Sequence, residues 1–268
     1  MTNSRRGILL VGCGKMGGAL LAGWKKKRLN QPLAVVEPQP IKLPTGIKRY
    51  VSSDSLPQRF APAVIVLAVK PQSLSDALSA YRRFADGDTV FLSIVAGKTL
   101  RFFASILGDE AAVVRAMPNT PAAIARGIAV ACANPRVAPT QRALCGRLLG
   151  AVGEVAWVKE EKLLDPVTAV SGSGPAYVFL LIVCLADAGI AAGLPAELAM
   201  QLARATVSGS GELARLSSED AAQLRRNVTS PGGTTEAALK ILMAQDGLAA
   251  LMRQAIAAAT ARSRELAD

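Results

Sequence analysis

Residues 7–23 read GILLVGCGKMGGALLAG, and this stretch decides the fold. The apolar run 7–11 has the composition of a buried strand, and it enters Gly12-x-Gly14-x-x-Gly17 with no spacer before an amphipathic helical pattern begins. Each glycine has its own physical task in such a turn. Gly12 permits the tight bend, Gly14 lets backbone amides approach a pyrophosphate, and Gly17 allows the helix to pack closely on the strand. The spacing alone is also compatible with a glycine-rich turn that serves packing only. Its setting favours dinucleotide binding, because a second strand, 33–37, follows and ends in Glu37, twenty residues beyond Gly17. An acid there bonds ribose hydroxyls and repels a 2′-phosphate, which leans towards NADH. Lys42, Lys48 and Arg49 lie near the same edge, so the expected cofactor stays NAD(P)H.

Working outward, short β-branched runs alternate with helical patterns as far as residue 159. Strands are expected at 7–11, 33–37, 63–69, 89–95, 113–116, 127–133 and 154–158, with a helix over 140–152. The class is α/β: a Rossmann-like, doubly wound parallel sheet with a small edge extension. Lys25 to Arg28 follow an amphipathic stretch and read as cations on a helix C-terminus. Lys70-Pro71 emerges from the strand AVIVLAV at the carboxyl edge, either as a cofactor contact or as a solvated strand-end lysine. Asn119 and Thr120 in MPNTP reach that edge too, either beside a ligand or in a plain rigid turn.

From residue 160 the β-branched alternation stops and Ala and Leu dominate, so an all-helical part is expected. The predicted organisation is 1–159 for dinucleotide binding and 160–268 for dimerisation and substrate binding. The helix 175–192 is apolar almost all round and must be covered on every side. Its own domain could do this, but about 110 residues hardly suffice, and an intimate homodimer is the preferred reading. Two stretches, SGSGPAY at 171–177 and RRNVTSPGGTTEAAL over 226–239 (its last residue Leu239 included), place small hydroxyl and glycine residues ahead of helices. In the second, the amides of Gly233, Thr234 and Thr235 are free donors for a carboxylate, unless Ser and Thr simply cap the helix.

Composition closes off other classes. The 268 residues are 51% hydrophobic and 19% charged, with mean hydropathy +0.31, enough apolar content for a large core. The longest unbroken apolar run, 176–186, has 11 residues, well below the roughly 17 to 25 of a spanning helix, so no membrane segment is expected. Arg5 and Arg6 precede an apolar stretch that Gly12 and Gly14 interrupt, which argues against an export signal and for a cytoplasmic protein. Four isolated cysteines read as reduced thiols. With no histidine at all, Ser-His-Asp and Cys-His chemistry are excluded and no metal site is expected. The net charge of +11 is concentrated ahead of residue 159, which suits anions. Aromatics at 4% give no stacking platform for nucleic acid, so a phosphate-bearing small molecule is the better partner.

Taken in order and spacing, VGCGKMGGAL, LAVKPQ, MPNTPA, VTAVSGSGPAY, LADAGIAAGLP and VTSPGGTT closely resemble the Δ1-pyrroline-5-carboxylate reductase family, from about Gly7 to Leu266. The resemblance implies an N-terminal Rossmann domain and a helical domain that interlocks with its twin, the dimers assembling further into decamers. The active site would form between the nicotinamide and the helical part of the dimer. By position, Gly12, Cys13, Gly14, Lys15, Met16 and Gly17 would hold the pyrophosphate, and Ala68, Val69, Lys70 and Pro71 would line the nucleotide. Ser55 is a weaker match to a polar residue near the adenosine. Asn227 would meet cofactor or substrate, and Glu161 matches an acidic substrate-site position. Ser230, Gly233, Thr234 and Thr235 would hold the carboxylate and ring nitrogen of a cyclic imino acid. Lys15, the segment TVSGSGEL and Glu37 depart from the family pattern, the last bearing on cofactor preference alone.

The implied reaction reduces a five-membered cyclic imine to L-proline, with hydride passing from NAD(P)H to the imine carbon. A protonated imine accepts hydride readily, so a chain without histidine needs only to hold two rings face to face and exclude water. Thr235 is the expected catalytic residue, positioning the ring nitrogen rather than donating a proton, which solvent or prior protonation supplies. Hydroxyacid dehydrogenases share the first half but use a lysine on the first helix of the helical domain, and 175–192 contains none. A non-catalytic dinucleotide sensor is the rival from another class, opposed by the intact substrate-loop glycines and hydroxyls.

Overall fold

The structure is a computed structural model and describes residues 6–29 and 31–267. Arg5, part of the N-terminal reading, lies outside them. The chain forms two compact units, the first running to Gly172 and taking in the segment from Ala259 onward, the second covering Ser173–Ala258. The change of composition at 159/160 therefore precedes the structural division. Leu164, fully buried against Val130 and Cys132, ties the start of the helical part to the sheet.

The first unit contains β1 (Gly7–Val11), α1 (Lys15–Lys26), β2 (Leu33–Val36), β3 (Lys48–Tyr50), β4 (Pro62–Leu67) and α2 (Leu74–Ser79). It continues with β5 (Val90–Ser93), α3 (Leu100–Leu107), β6 (Ala112–Pro118), β7 (Gly127–Ala133), α4 (Pro139–Leu149), β8 (Gly153–Val158) and α5 (Leu164–Val167). The sheet order is β3-β2-β1-β4-β5-β6-β7-β8. Every neighbouring pair is parallel except β6 with β7. The chain thus winds outward from β1 in one direction and from β4 in the other, which makes the β1/β4 junction the switch point where doubly wound sheets bind ligands.

Strand β1 illustrates the two-sided core. Ile8 and Leu10 enter one apolar cluster, Leu9 and Val11 the other, as alternation along a strand covered on both faces requires. In the first cluster, Trp24 of α1 is fully buried and donates its indole N–H to Leu148 O at 2.9 Å, fastening α1 to α4. The basic residues Lys25 and Lys26 occupy the last turn of α1, where they complement the helix dipole.

One strand escaped the sequence reading. Strand β3 is three residues of Lys-Arg-Tyr on the sheet edge, with neither apolar alternation nor β-branched content to announce it. It exists because Val36 and its neighbours offer an unpaired edge, which Lys48, Arg49 and Tyr50 complete in register with Ala34, Val35 and Val36.

The helical part begins before the second unit does. Glu161–Ala191 is one continuous helical run, with a π-helical turn at Thr168–Gly172 in the first unit. Ser171 and Gly172 close that wide turn and Ser173 caps the helix that starts at Gly174, so the small residues do stand ahead of the long helix, but within a helical turn. Thr168 and Ser171 turn their hydroxyls back to Leu164 O and Val167 O, which accommodates these poor helix formers. The second unit holds α6 (Gly174–Ala191), α7 (Ala196–Leu216), α8 (Ala221–Asn227) and α9 (Thr234–Leu242), together with most of α10 (Leu248–Glu265).

Helix α6 packs on α7, where Ala199 and Ala203 are buried, yet of its own residues only Ala186 is buried. Phe179 is 62% and Leu180 61% exposed in the single chain. The run Glu161–Ala191 spans 31 residues with a mean hydropathy of 1.9 in its most apolar window, so by length and composition alone it could cross a bilayer. Counting only unbroken apolar residues concealed this. The same exposed surface is what a subunit interface covers.

Candidate functional site

The cofactor half of the predicted site lies in the first unit, at the carboxyl ends of β1, β2 and β4. A crevice of about 570 Å³ opens there, with Gly12, Gly14, Glu37, Ala68, Val69 and Lys70 in its wall. Gly12 has φ of +85°, and a Cβ on it would stand 2.8 Å from Ala68 O, so only glycine suits the bend. A Cβ at Gly14 would meet nothing within 4 Å, which leaves open space over the loop. Gly14 is also the N-cap of α1 and offers no side-chain acceptor, so the first amides of α1 are available to an anion at the positive end of the helix. Behind the loop, Gly17 is buried close against Gly12 O.

Glu37 follows β2 directly. Its Oε2 accepts from Cys13 N at 2.8 Å and its Oε1 accepts from Gln39 N at 3.1 Å. The carboxylate therefore braces the glycine loop while lining the crevice, and each oxygen keeps a lone pair for a ribose hydroxyl. The EPQP turn is held from beneath by Arg49, whose guanidinium donates to Glu37 O at 3.0 Å and Pro38 O at 2.9 Å. The charged groups of the crevice wall are Glu37, Lys70 and Asp76, and Lys42, Lys48 and Arg49 are not among them.

Other expected residues sit differently. Cys13 is half-buried, and burial foremost, then the charge of Glu37, pushes its thiol up from its ordinary pKa. Lys15 is exposed, Met16 packs on the core beneath the loop, and Pro71 starts a short 3₁₀ turn. Ser55 uses its hydroxyl locally, donating to Ser52 O at 2.7 Å and accepting from Ser52 N at 3.2 Å. Ser52 and Ser53 line the crevice in its place, with Gln39, Ser73 and Tyr81. Recognising β3 would have exposed the two serines, since they stand just past its carboxyl end. Asn119 accepts from Ile128 N at 2.9 Å and so stiffens the turn after β6.

Glu161, expected near substrate, has its carboxylate held by Arg115 Nη1 at 2.9 Å and by Leu100 N at 2.7 Å. Beside this pair, Cys132 is buried, and desolvation is the main cause that raises its thiol pKa, with Glu161 adding to it.

The remaining expected residues lie in the second unit, around the turn that joins α8 to α9. Gly233 caps α9 with extended ψ and no side-chain acceptor, leaving the Thr234 and Thr235 amides at an open helix end. The turn is shaped by Gly233 N donating to Ser230 O at 3.0 Å and by Gly232 N donating to Glu236 Oε2 at 2.8 Å. Ser230 and Thr234 are exposed and Thr235 is half-buried. Asn227 is engaged on both sides of its amide: Nδ2 donates to Glu219 Oε2 at 2.9 Å and Oδ1 accepts from Gln223 Nε2 at 2.6 Å. The arrangement can receive a small carboxylate on backbone amides, with the Thr235 hydroxyl alongside. Among the described residues, no group of three His, Cys, Asp or Glu side chains gathers to hold a metal.

Comparison with known proteins gives these halves a context. Residues 161–266 match the family described as pyrroline-5-carboxylate reductase dimerisation. The chain is 40% identical over 262 residues to the pyrroline-5-carboxylate reductase of Synechocystis sp., covering 96% of this chain and 97% of the relative. Among solved structures, it is similar to a pyrroline-5-carboxylate reductase from Coxiella burnetii at 32% identity and TM-score 0.90, over 99% of this chain and 100% of that one. It is also similar to a Plasmodium falciparum pyrroline carboxylate reductase with NADP bound, at 29% identity and TM-score 0.82, over 99% of each chain.

Proposed function

This chain belongs to the pyrroline-5-carboxylate reductase family, and we propose that its two sets of exposed backbone donors divide the reaction between them. It is an oxidoreductase that reduces Δ1-pyrroline-5-carboxylate to L-proline with NAD(P)H. In this reading residues 1–159 bind the dinucleotide and 160–268 provide dimerisation and the substrate carboxylate site. The observation that carries the division is the uncapped start of α1, where Gly12 and Gly14 leave amides facing an open crevice.

The residues present fit a nicotinamide dinucleotide. The α1 amides after Gly14 take the pyrophosphate, Glu37 takes the ribose hydroxyls, and Ala68 to Lys70 form the wall beside the switch point. The reduced nicotinamide, when bound, supplies hydride to the imine carbon. The amides of Thr234 and Thr235 with the Ser230 hydroxyl hold the substrate carboxylate. Gly233 keeps the helix end clear of a side chain. The Thr235 hydroxyl oxygen accepts a hydrogen bond from the protonated ring nitrogen and fixes the ring, while the proton on nitrogen comes from solvent or is already present. No residue here has to change its ionisation state, which is how a chain without histidine performs the step. Glu37 opposes a 2′-phosphate, so NADH is the preferred donor of the two.

Oligomer formation follows from the dimerisation domain at 161–266. We propose a homodimer centred on α6, dimers further associating into a decamer, and a cytoplasmic location. The test is oxidation of NADH and NADPH with pyrroline-5-carboxylate and with a six-membered cyclic imine. Turnover of the five-membered imine with NADH ahead of NADPH is expected, and absence of imine-dependent oxidation overturns the reading.

A further inference from the structure

The Glu161 carboxylate joins three separate elements. Its Oε1 accepts from Leu100 N at 2.7 Å and from Arg115 Nη1 at 2.9 Å. Arg115 comes from the middle of β6 with its side chain 7% exposed, against 26% for Glu161. Leu100 is the first residue of α3, which Thr99 caps by accepting from Phe102 N at 3.1 Å. A carboxylate at this end meets both an unpaired amide and the positive pole of the helix. A largely desolvated guanidinium in turn requires a fixed partner, and removing that partner is costly.

These bonds hold the loop at residues 94–99, which leaves the carboxyl end of β5. Strand β5 belongs to the half of the sheet beyond the β1/β4 switch point. In a doubly wound sheet the first half takes the adenosine side of a dinucleotide, so the carboxyl ends of β4 and β5 lie beneath the nicotinamide side. The loop is confined from another direction as well. Gly97 has φ of +73°, and a Cβ there would stand 2.8 Å from Leu266 O, so the segment after α10 closes directly on it.

We propose that Glu161 is a positioning residue for the nicotinamide: through Leu100 N and Arg115 it fixes loop 94–99, and it does not touch the substrate. The proposal rests on the hydride-transfer reading of the site and adds a residue to it.

The test uses the full chain with Glu161→Ala and Glu161→Gln, the second keeping an oxygen for Leu100 N and guarding against loss of the fold. Amide exchange over residues 96–101 should rise about tenfold in the Ala variant, while the Gly12–Gly17 turn and the α9 start stay unchanged. NADH affinity, read by fluorescence titration without substrate, should fall about tenfold, and KM for pyrroline-5-carboxylate should move by less than about twofold. Arg115→Met should act in the same direction, and combining it with Glu161→Ala should add little, because both remove one brace. A large rise in substrate KM with exchange and NADH affinity unchanged makes Glu161 a substrate ligand and overturns the proposal. Unchanged exchange and unchanged NADH affinity in both Glu161 variants also overturn it. Failure of the wild-type protein to reduce the imine defeats the functional reading instead, and leaves the exchange measurement to judge the brace.

Discussion

Replacing Glu37 with Gln removes one charge and, with one oxygen fewer, the acceptor of the exposed Gln39 N. The Gln carboxamide oxygen can still accept from Cys13 N, a bond of 2.8 Å in the native chain, so the glycine loop keeps its support. In the proposed reading Glu37 bonds the ribose 2′-hydroxyl, so a 2′-phosphate there, with nearly two negative charges, would stand on the order of 4 Å from the carboxylate. At that distance each charge pair costs about 1 kcal/mol in bulk water and about 4 kcal/mol at an effective dielectric of 20. At a half-open, salt-screened edge a net penalty of about 2 kcal/mol is reasonable, which corresponds to roughly 30-fold in affinity. Binding of NADH should also weaken by a few tenths to about 1 kcal/mol, because a charged acceptor becomes neutral. The ratio of kcat/KM for NADPH over NADH should therefore rise about 50- to 150-fold in Glu37→Gln. The assay is steady-state oxidation of each cofactor at saturating imine, paired with fluorescence titration of each in its absence. A ratio within about threefold of wild type would refute the reasoning. Glu37→Ser removes the brace as well as the charge, so both cofactors should bind less tightly even as preference shifts.

Thr235→Ala should lower kcat/KM for the imine about tenfold by loss of one positioning hydrogen bond, with NADH affinity unchanged, and unchanged steady-state kinetics would remove Thr235 from the mechanism. Gly12→Ala forces a Cβ against Ala68 O at positive φ and should cost about 3 kcal/mol of stability in urea unfolding along with cofactor binding. Phe179→Glu, on the exposed face of α6, should convert the oligomer to monomer or unfolded chain in light scattering, and a native-sized oligomer would disprove the proposed interface. Burial pushes the Cys145 thiol up to about 12 from 9.0, so above pH 9 the unfolded chain binds fewer protons than the folded one. Stability is thus full below about pH 9 and declines as pH rises towards 12, and Cys145→Ala should flatten that decline in urea midpoints taken across the range.

The cofactor half of the fold was legible because its signals are local. The β1 run, the three glycines and the acid at the end of β2 are each set by neighbours within a few residues, and the structure places them as one turn with a braced floor. Strand β3 was not legible, because its three polar residues are recruited by an edge formed elsewhere in the sequence. Missing it also hid Ser52 and Ser53, whereas Ser55, a weaker match carried by the resemblance, engages its hydroxyl with Ser52. Counting contiguous apolar residues stopped at Asp187, whereas α6 runs on to Ala191 and carries that single charge within its apolar length. Glu161 could be assigned to substrate only by resemblance, since nothing near it in sequence announces Arg115 or Leu100.

The segment that follows the second unit carries a consequence for synthesis. Ser263 is buried and donates to Asp165 Oδ1 at 2.9 Å, and Leu266 lies over Gly97, so residues made late belong to the unit made first. A nascent chain can assemble its sheet early, but the loop after β5 stays without its cover until α10 has emerged from the ribosome. A purification handle attached close behind Leu266 should therefore disturb that final step.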